Sequence, residues 1–222
     1  MESRFEDRIE AGRFLARRLQ EYKNRPDVLV LALPRGGVPV AYEVAENLNA
    51  PLDVLIVRKL GAPGHEELAV GAIASGGVYV LNRDVVNTLH LSDQHLQQIA
   101  AREQRELERR EQAYRDGRQP AEVEGKTVIL IDDGLATGAT MWAAVEALRQ
   151  RNPAKIIVAV PTAEADICRA FREIADDVVC GITPDPFIAV GLWYREFDQT
   201  TDDEVRTLLA RAEHHHSAER KE

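Results

Sequence analysis

The stretch KTVILIDDGLATGAT, residues 126–140, decides how the rest of the chain is read. Its residues 127–131 are apolar or β-branched and read as a short buried strand. Asp132 and Asp133 follow, then a turn carrying Gly134, Thr137, Gly138 and Thr140, and from Ala139 the run ATMWAAVEALRQ has helical composition and spacing. Strand, polar turn and helix in that order belong to an open α/β sheet, whose ligands bind outside the carboxyl ends of the strands. The unpaired N–H groups of a helix N-terminus suit a phosphate there. Ionised carboxylates only accept hydrogen bonds, which matches sugar hydroxyls or a metal-bound water, whereas threonine hydroxyls can donate to phosphate oxygens. The ligand described by these groups is a ribose 5-phosphate. An ordinary capped turn needs one such side chain, not two acids and two hydroxyls.

A second unit of the same kind lies upstream. Residues 28–33 form an apolar strand, PRGG (34–37) a turn, and residues 40–48 a helix. Arg35 is a permanent cation beside Gly36 and Gly37, whose bare backbone lets N–H groups face an anion such as pyrophosphate. Pro and Gly also mark plain turns, and both readings stand at this point. A third strand, 53–57, ends in Arg58 and Lys59. The segment 60–68, LGAPGHEEL, reads as a turn-rich loop, followed by strands 69–73 and 78–81 joined through Ser75-Gly76-Gly77.

Elsewhere the pattern is structural. Residues 5–22 read as a packing helix with Phe5, Ile9, Gly12, Leu15, Ala16 and Leu19 on one face and Ser3 as cap. Residues 92–118 read as one long charged helix, capped by Ser92 or Asp93, with a thin stripe of Leu96, Ile99, Ala100, Leu107 and Tyr114. Glu106 with Arg110 and Glu111 with Arg115 are spaced for helix ion pairs. His90 and His95 have no companion metal ligands. Further strands at 155–160 and 178–180 alternate with helices at 141–150 and 164–174, which predicts a mostly parallel sheet flanked by helices. The aromatic-rich segment 183–200 precedes a closing helix, 202–212, and residues 213–222 read as a frayed tail. In 183–200, Trp193 and Phe197 read as core.

The chain of 222 residues is 45% hydrophobic and 29% charged, ordinary for a globular domain. A net charge of −9 and the alternation of Glu with Arg along 92–118 argue against a nucleic-acid surface. No apolar run approaches a membrane span or a leader segment. Cys168 and Cys180 are expected as reduced thiols, which points to the cytoplasm.

VILIDDGLATGAT closely resembles the phosphoribosyl-pyrophosphate (PRPP) motif of the type I phosphoribosyltransferases. The resemblance implies that Asp132 and Asp133 hold the ribose 2′- and 3′-hydroxyls. Gly134, Ala136, Thr137, Gly138, Ala139 and Thr140 then wrap the 5-phosphate. PRGG resembles the family's pyrophosphate loop, so Arg35, Gly36 and Gly37 become pyrophosphate contacts, joined by Lys59 and by Arg58. Segment 60–68 stands where the family has a mobile catalytic loop, with His65, Glu66 and Glu67 as its titratable groups. PDPFIAVGLWY is similar to the C-terminal hood of the purine members, which makes Phe187 the base-stacking candidate.

The implied reaction moves the phosphoribosyl group from PRPP to a nitrogen nucleophile, a nucleobase, with release of pyrophosphate. Mg²⁺ enters with PRPP, with Asp132 and Asp133 as the protein's candidates for it. Ala136 stands where the 6-oxopurine enzymes carry an acid, and VAVPTAEAD has no lysine, which argues against hypoxanthine and guanine. The nearest resemblance is to stand-alone members without an assigned acceptor. The implied organisation is one domain over 1–222, with an inserted helix or flap at 92–118, a hood at 183–200 and a homodimeric assembly. The alternative is a non-catalytic sensor of PRPP or a nucleotide on the same fold. A hydrolase of phosphoribosyl compounds is a third class, for which no nucleophile is evident.

Overall fold

The computed structural model describes residues 4–62 and 65–219, with the backbone alone for 65–67 and 216–219. Its central sheet has five parallel strands in the order β2 (Leu52–Val54), β1 (Val28–Ala32), β6 (Thr127–Ile131), β7 (Lys155–Thr162) and β8 (Asp177–Ile182). Alternate side chains face opposite sides of each strand. Val30, Ala32, Ile129, Ile131 and Ile157 build a core with helices α1 (Arg8–Arg18) and α2 (Gly37–Leu48). Leu29, Leu31, Val128, Leu130 and Val158 face the other way, toward α5 (Ala139–Arg149) and α6 (Ala165–Phe171). Both faces are covered, as an all-parallel sheet requires.

The apolar run after Pro51 is shared between two sheets. β2 ends at Val54, and β3 (Val57–Ala62) begins a three-stranded antiparallel sheet with β4 (His65–Ala74) and β5 (Val78–Leu81). Segment 60–68, expected as a loop, is therefore largely hairpin. Its pairing is irregular between Leu60 and Ala62, which broke the alternation that would have marked a strand. Pro63 and Gly64 lie outside the described residues.

Two helices follow the antiparallel sheet, and a third closes the chain. α3 (Arg83–Thr88) comes directly after β5, and α4 (Asp93–Arg115) is capped by Ser92, whose hydroxyl accepts the His95 N–H. The Glu106–Arg110 and Glu111–Arg115 pairs form as spaced, at 2.9 and 2.8 Å. α4 packs on the body of the protein: Leu107 and Tyr114 are fully buried. Arg115 donates to Asp53, Glu111 and the Val54 carbonyl. The final helix, α7 (Asp202–Glu219), runs through residues expected as a frayed tail.

Three smaller expectations change. α1 is capped by Asp7, which accepts the Glu10 N–H, and Ile9 is 43% exposed, because the buried stripe is Ala11, Gly12, Leu15 and Ala16. Phe197 is 37% exposed and not core, and Trp193 lies in a 3₁₀ turn, Val190–Trp193. Cys168 and Cys180 pair as a disulfide between α6 and β8, 6.5 Å apart at Cα, where reduced thiols were expected. The fold brings two cysteines twelve residues apart side by side, and the thiol argument for a reducing compartment loses its basis. Among the described residues, no helix is long and apolar enough to cross a membrane.

Candidate active site

β1 and β6 are neighbours, so the turns at their carboxyl ends meet. The Leu33 N–H bonds to the Ile131 carbonyl at 2.8 Å and locks the two turns together. The turn after β1 leads into α2, and the turn after β6 into α5. Neither helix has a side-chain cap: Gly36 and Gly138 stand at the cap positions. Two helix N-termini therefore point to one end of the sheet; in the first turn of α2 the Gly37 and Val38 N–H groups already donate to the Leu33 and Arg35 carbonyls, each at 3.1 Å.

Gly36 and Gly37 pack against the acid pair. A Cβ on Gly36 would lie 2.1 Å from the Asp133 Oδ2, and one on Gly37 2.8 Å from the Ile131 carbonyl oxygen. The glycines are thus demanded by close approach. The Pro34–Arg35 peptide is cis. Arg35 reaches Asp202 at the start of α7, Nη1 to Oδ1 3.7 Å, and the same Oδ1 accepts the Tyr114 hydroxyl at 2.8 Å.

Asp132 and Asp133 are partly buried at the end of β6. Burial and the charge of Asp133 push the Asp132 carboxyl well above the usual carboxylate range. Burial also raises Asp133, while Arg8 opposes that shift. Asp132 Oδ1 accepts the Asp133 N–H at 2.9 Å. Arg8 was not anticipated here: its Nε and Nη2 both lie 2.9 Å from Asp133 Oδ2. Tyr194 was not anticipated either. Its hydroxyl donates to the Asp133 carbonyl at 2.5 Å, and burial raises its pKa.

The phosphate-loop candidates are arranged as one turn. Gly138 has φ +70°, and a Cβ there would lie 2.7 Å from the Phe171 ring, so glycine is required twice over. Gly134 packs beneath Val190. Ala136, Thr137, Ala139 and Thr140 are exposed. Thr137, Ala139 and Thr140 line a cavity of about 640 Å³ between α5 and the three-stranded sheet, together with Lys59, Arg83 and Trp142.

Lys59 is exposed on β3 and faces this cavity. Arg58 points to the other face of the strand and pairs with Glu103 of α4 at 2.6 Å, so the structure does not bring it to the acid pair. The backbone of His65, Glu66 and Glu67 is β4 strand, and their side chains lie outside the described residues. Phe187 is half-buried in the loop after β8. Among the described contacts, Val190 and Tyr194 reach the acid-pair turn from that segment, and Phe187 does not.

The model of the phosphoribosyl transferase domain family matches residues 4–193. The chain belongs to that family. The phosphoribosyl transferase match takes in α1, both glycine turns, the acid pair and the segment up to Trp193. A Mycobacterium tuberculosis protein provisionally named a phosphoribosyl transferase is 50% identical over 208 residues, 94% of this chain and 47% of that protein. The chain thus spans about half the length of the curated relatives it matches. The "Bifunctional protein PyrR" of Chloroflexus aurantiacus is 32% identical over 129 residues, 57% of this chain and 65% of that protein. Among solved structures, TT1426 from Thermus thermophilus is 42% identical with a TM-score of 0.83, covering 94% of this chain and 98% of that one.

Proposed function

We propose that this chain transfers the phosphoribosyl group of PRPP to a nitrogen nucleophile, a nucleobase or similar small acceptor, and releases pyrophosphate. The observation that carries this reading is the meeting of the Asp132–Asp133 pair with two uncapped helix N-termini at adjoining strand ends. Carboxylates accept from the ribose diol, and N–H groups with Thr137 and Thr140 take the 5-phosphate. Arg35 and Lys59 supply positive charge for the leaving pyrophosphate. The protein's task is to hold donor and acceptor in line and to stabilise charge as the glycosidic bond breaks.

Mg²⁺ fits the donor set. The carboxylates of Asp132 and Asp133 are hard oxygen ligands, and among the described residues no cluster of three or more His, Cys, Asp or Glu would cage a metal by itself. An ion held by Asp132, Asp133 and the oxygens of PRPP matches the habit of Mg²⁺. When bound, it would neutralise charge on the pyrophosphate. Ala136 leaves this turn without an acid to manage a purine proton, which favours an acceptor other than a 6-oxopurine.

The test is release of pyrophosphate from PRPP and Mg²⁺ across a panel of nucleobases and small amines. One acceptor is expected to give turnover, and Lys59→Ala to lower kcat by about 10²-fold or more. PRPP binding without acceptor-dependent release across the panel would favour the sensor reading instead.

A further inference from the structure

Arg8 is the residue at the acid pair that the ribose and phosphate chemistry does not call for. It opens α1, and a cation in a helix's first turn works against the helix dipole. Its position therefore has a cause elsewhere. The guanidinium places Nε and Nη2 on Asp133 Oδ2, both at 2.9 Å. Its Nη1 donates to the Asp198 carbonyl at 2.7 Å, and its Cζ sits 3.9 Å over the Phe197 ring. Both partners in the ion pair are largely buried, with side chains 12% and 14% exposed.

The pair divides the carboxylate. Among the described residues, the hydrogen bonds to the Asp133 side chain all use Oδ2, and that to Asp132 uses Oδ1. One oxygen of each acid is thus taken by the protein, and one of each remains for a ligand hydroxyl. Gly36 closes the opposite side of Oδ2. A carboxylate clamped by a two-pronged donor and a glycine backbone has one orientation. The segment carrying Phe197 and Asp198 is fastened to it through the same guanidinium.

Resting on the phosphoribosyl-transfer reading, we infer that Arg8 is a positioning residue for PRPP: it aims Asp133 at one ribose hydroxyl and ties the 194–198 segment to the ribose end of the site. Arg8 acts through Asp133 and does not itself need to touch PRPP. Hydrogen bonds to a charged group are worth about 10- to 100-fold in an equilibrium constant, which sets the size of the effect.

The test is a double-mutant cycle on the full chain, reading the Kd for PRPP with Mg²⁺ by calorimetry alongside the melting temperature. Arg8→Ala is expected to weaken PRPP binding about 10- to 100-fold. In the Asp133→Ala background the same change is expected to have less than about a threefold effect, because the oxygen that Arg8 holds is already gone. Arg8→Lys keeps the charge but not the two-pronged geometry, and gives an intermediate loss if Arg8→Ala proves too unstable to titrate. Equal losses from Arg8→Ala in both backgrounds, or a melting shift with unchanged Kd, would overturn the inference. Absence of PRPP binding by the wild type would instead overturn the functional reading on which it rests.

Discussion

Replacing Arg115 with alanine is expected to lower folding stability by about 3–5 kcal/mol and the melting midpoint by roughly 10 °C. Arg115 is only 5% exposed, yet charged. It spends its donors on Asp53 at 3.1 Å, Glu111 at 2.8 Å and the Val54 carbonyl at 2.8 Å. Asp53 in turn accepts the Ala121 N–H at 2.8 Å. Truncation strands the Asp53 carboxylate and a main-chain carbonyl inside the protein, which is what makes breaking a buried pair costly. The exposed Glu106–Arg109 pair, removed by Arg109→Ala, serves as the control and should change the midpoint little. Urea unfolding at constant m-value measures both. An Arg115→Ala loss below about 1 kcal/mol would mean that water already serves these groups.

That anchor lies beside the candidate site. α4 carries Glu103, which holds Arg58 beside Lys59, and Tyr114, whose hydroxyl holds the Asp202 carboxylate near Arg35. The helix thus holds Arg58, the chain neighbour of Lys59, and the Asp202 carboxylate that pairs with Arg35.

Gly36→Ala is expected to weaken PRPP binding by about 10²-fold while leaving most of the folding stability in place. The added Cβ would stand 2.1 Å from Asp133 Oδ2. Its neighbour is not the loose end of a flexible chain but a carboxylate held by Arg8. Either the Arg8–Asp133 pair opens or the Arg35 turn retreats, and each displaces a ligand contact by an ångström or more. Misplacement of that size costs on the order of 10²-fold at a site that works by positioning. Backbone conformation is not the cause, since Gly36 has φ −59°. A Kd within about threefold of the wild type would show that the two turns do not share a ligand.

The acid pair, the turn from Gly134 to Thr140 and the Arg35 turn were legible as candidates because each is contiguous in the sequence. The parallel sheet followed from the βα alternation. What escaped has physical reasons. Arg8 and Asp133 are 125 residues apart, and Tyr194 is 61 from Asp133, so no local pattern joins them. The one available signal was a cation in the first turn of a helix, a place that favours acids. The passage from β2 to β3 was hidden because Leu55 and Ile56 are only 1% exposed and continue the apolar run without a break, and hydrophobicity does not say which sheet a strand joins. The hairpin at 60–68 was masked by glycine and by its irregular register. Arg58 and Lys59 looked equivalent side by side, but neighbouring strand residues face opposite ways. That places one on α4 and the other on the cavity.

The most direct measurement is calorimetric titration of PRPP with Mg²⁺ into the wild-type chain and into Asp132→Asn/Asp133→Asn. The account predicts saturable one-site binding in the micromolar range for the wild type, and loss of that binding in a double variant that still melts cooperatively. Equal binding by both proteins, or none by the wild type with and without candidate acceptors, would contradict it.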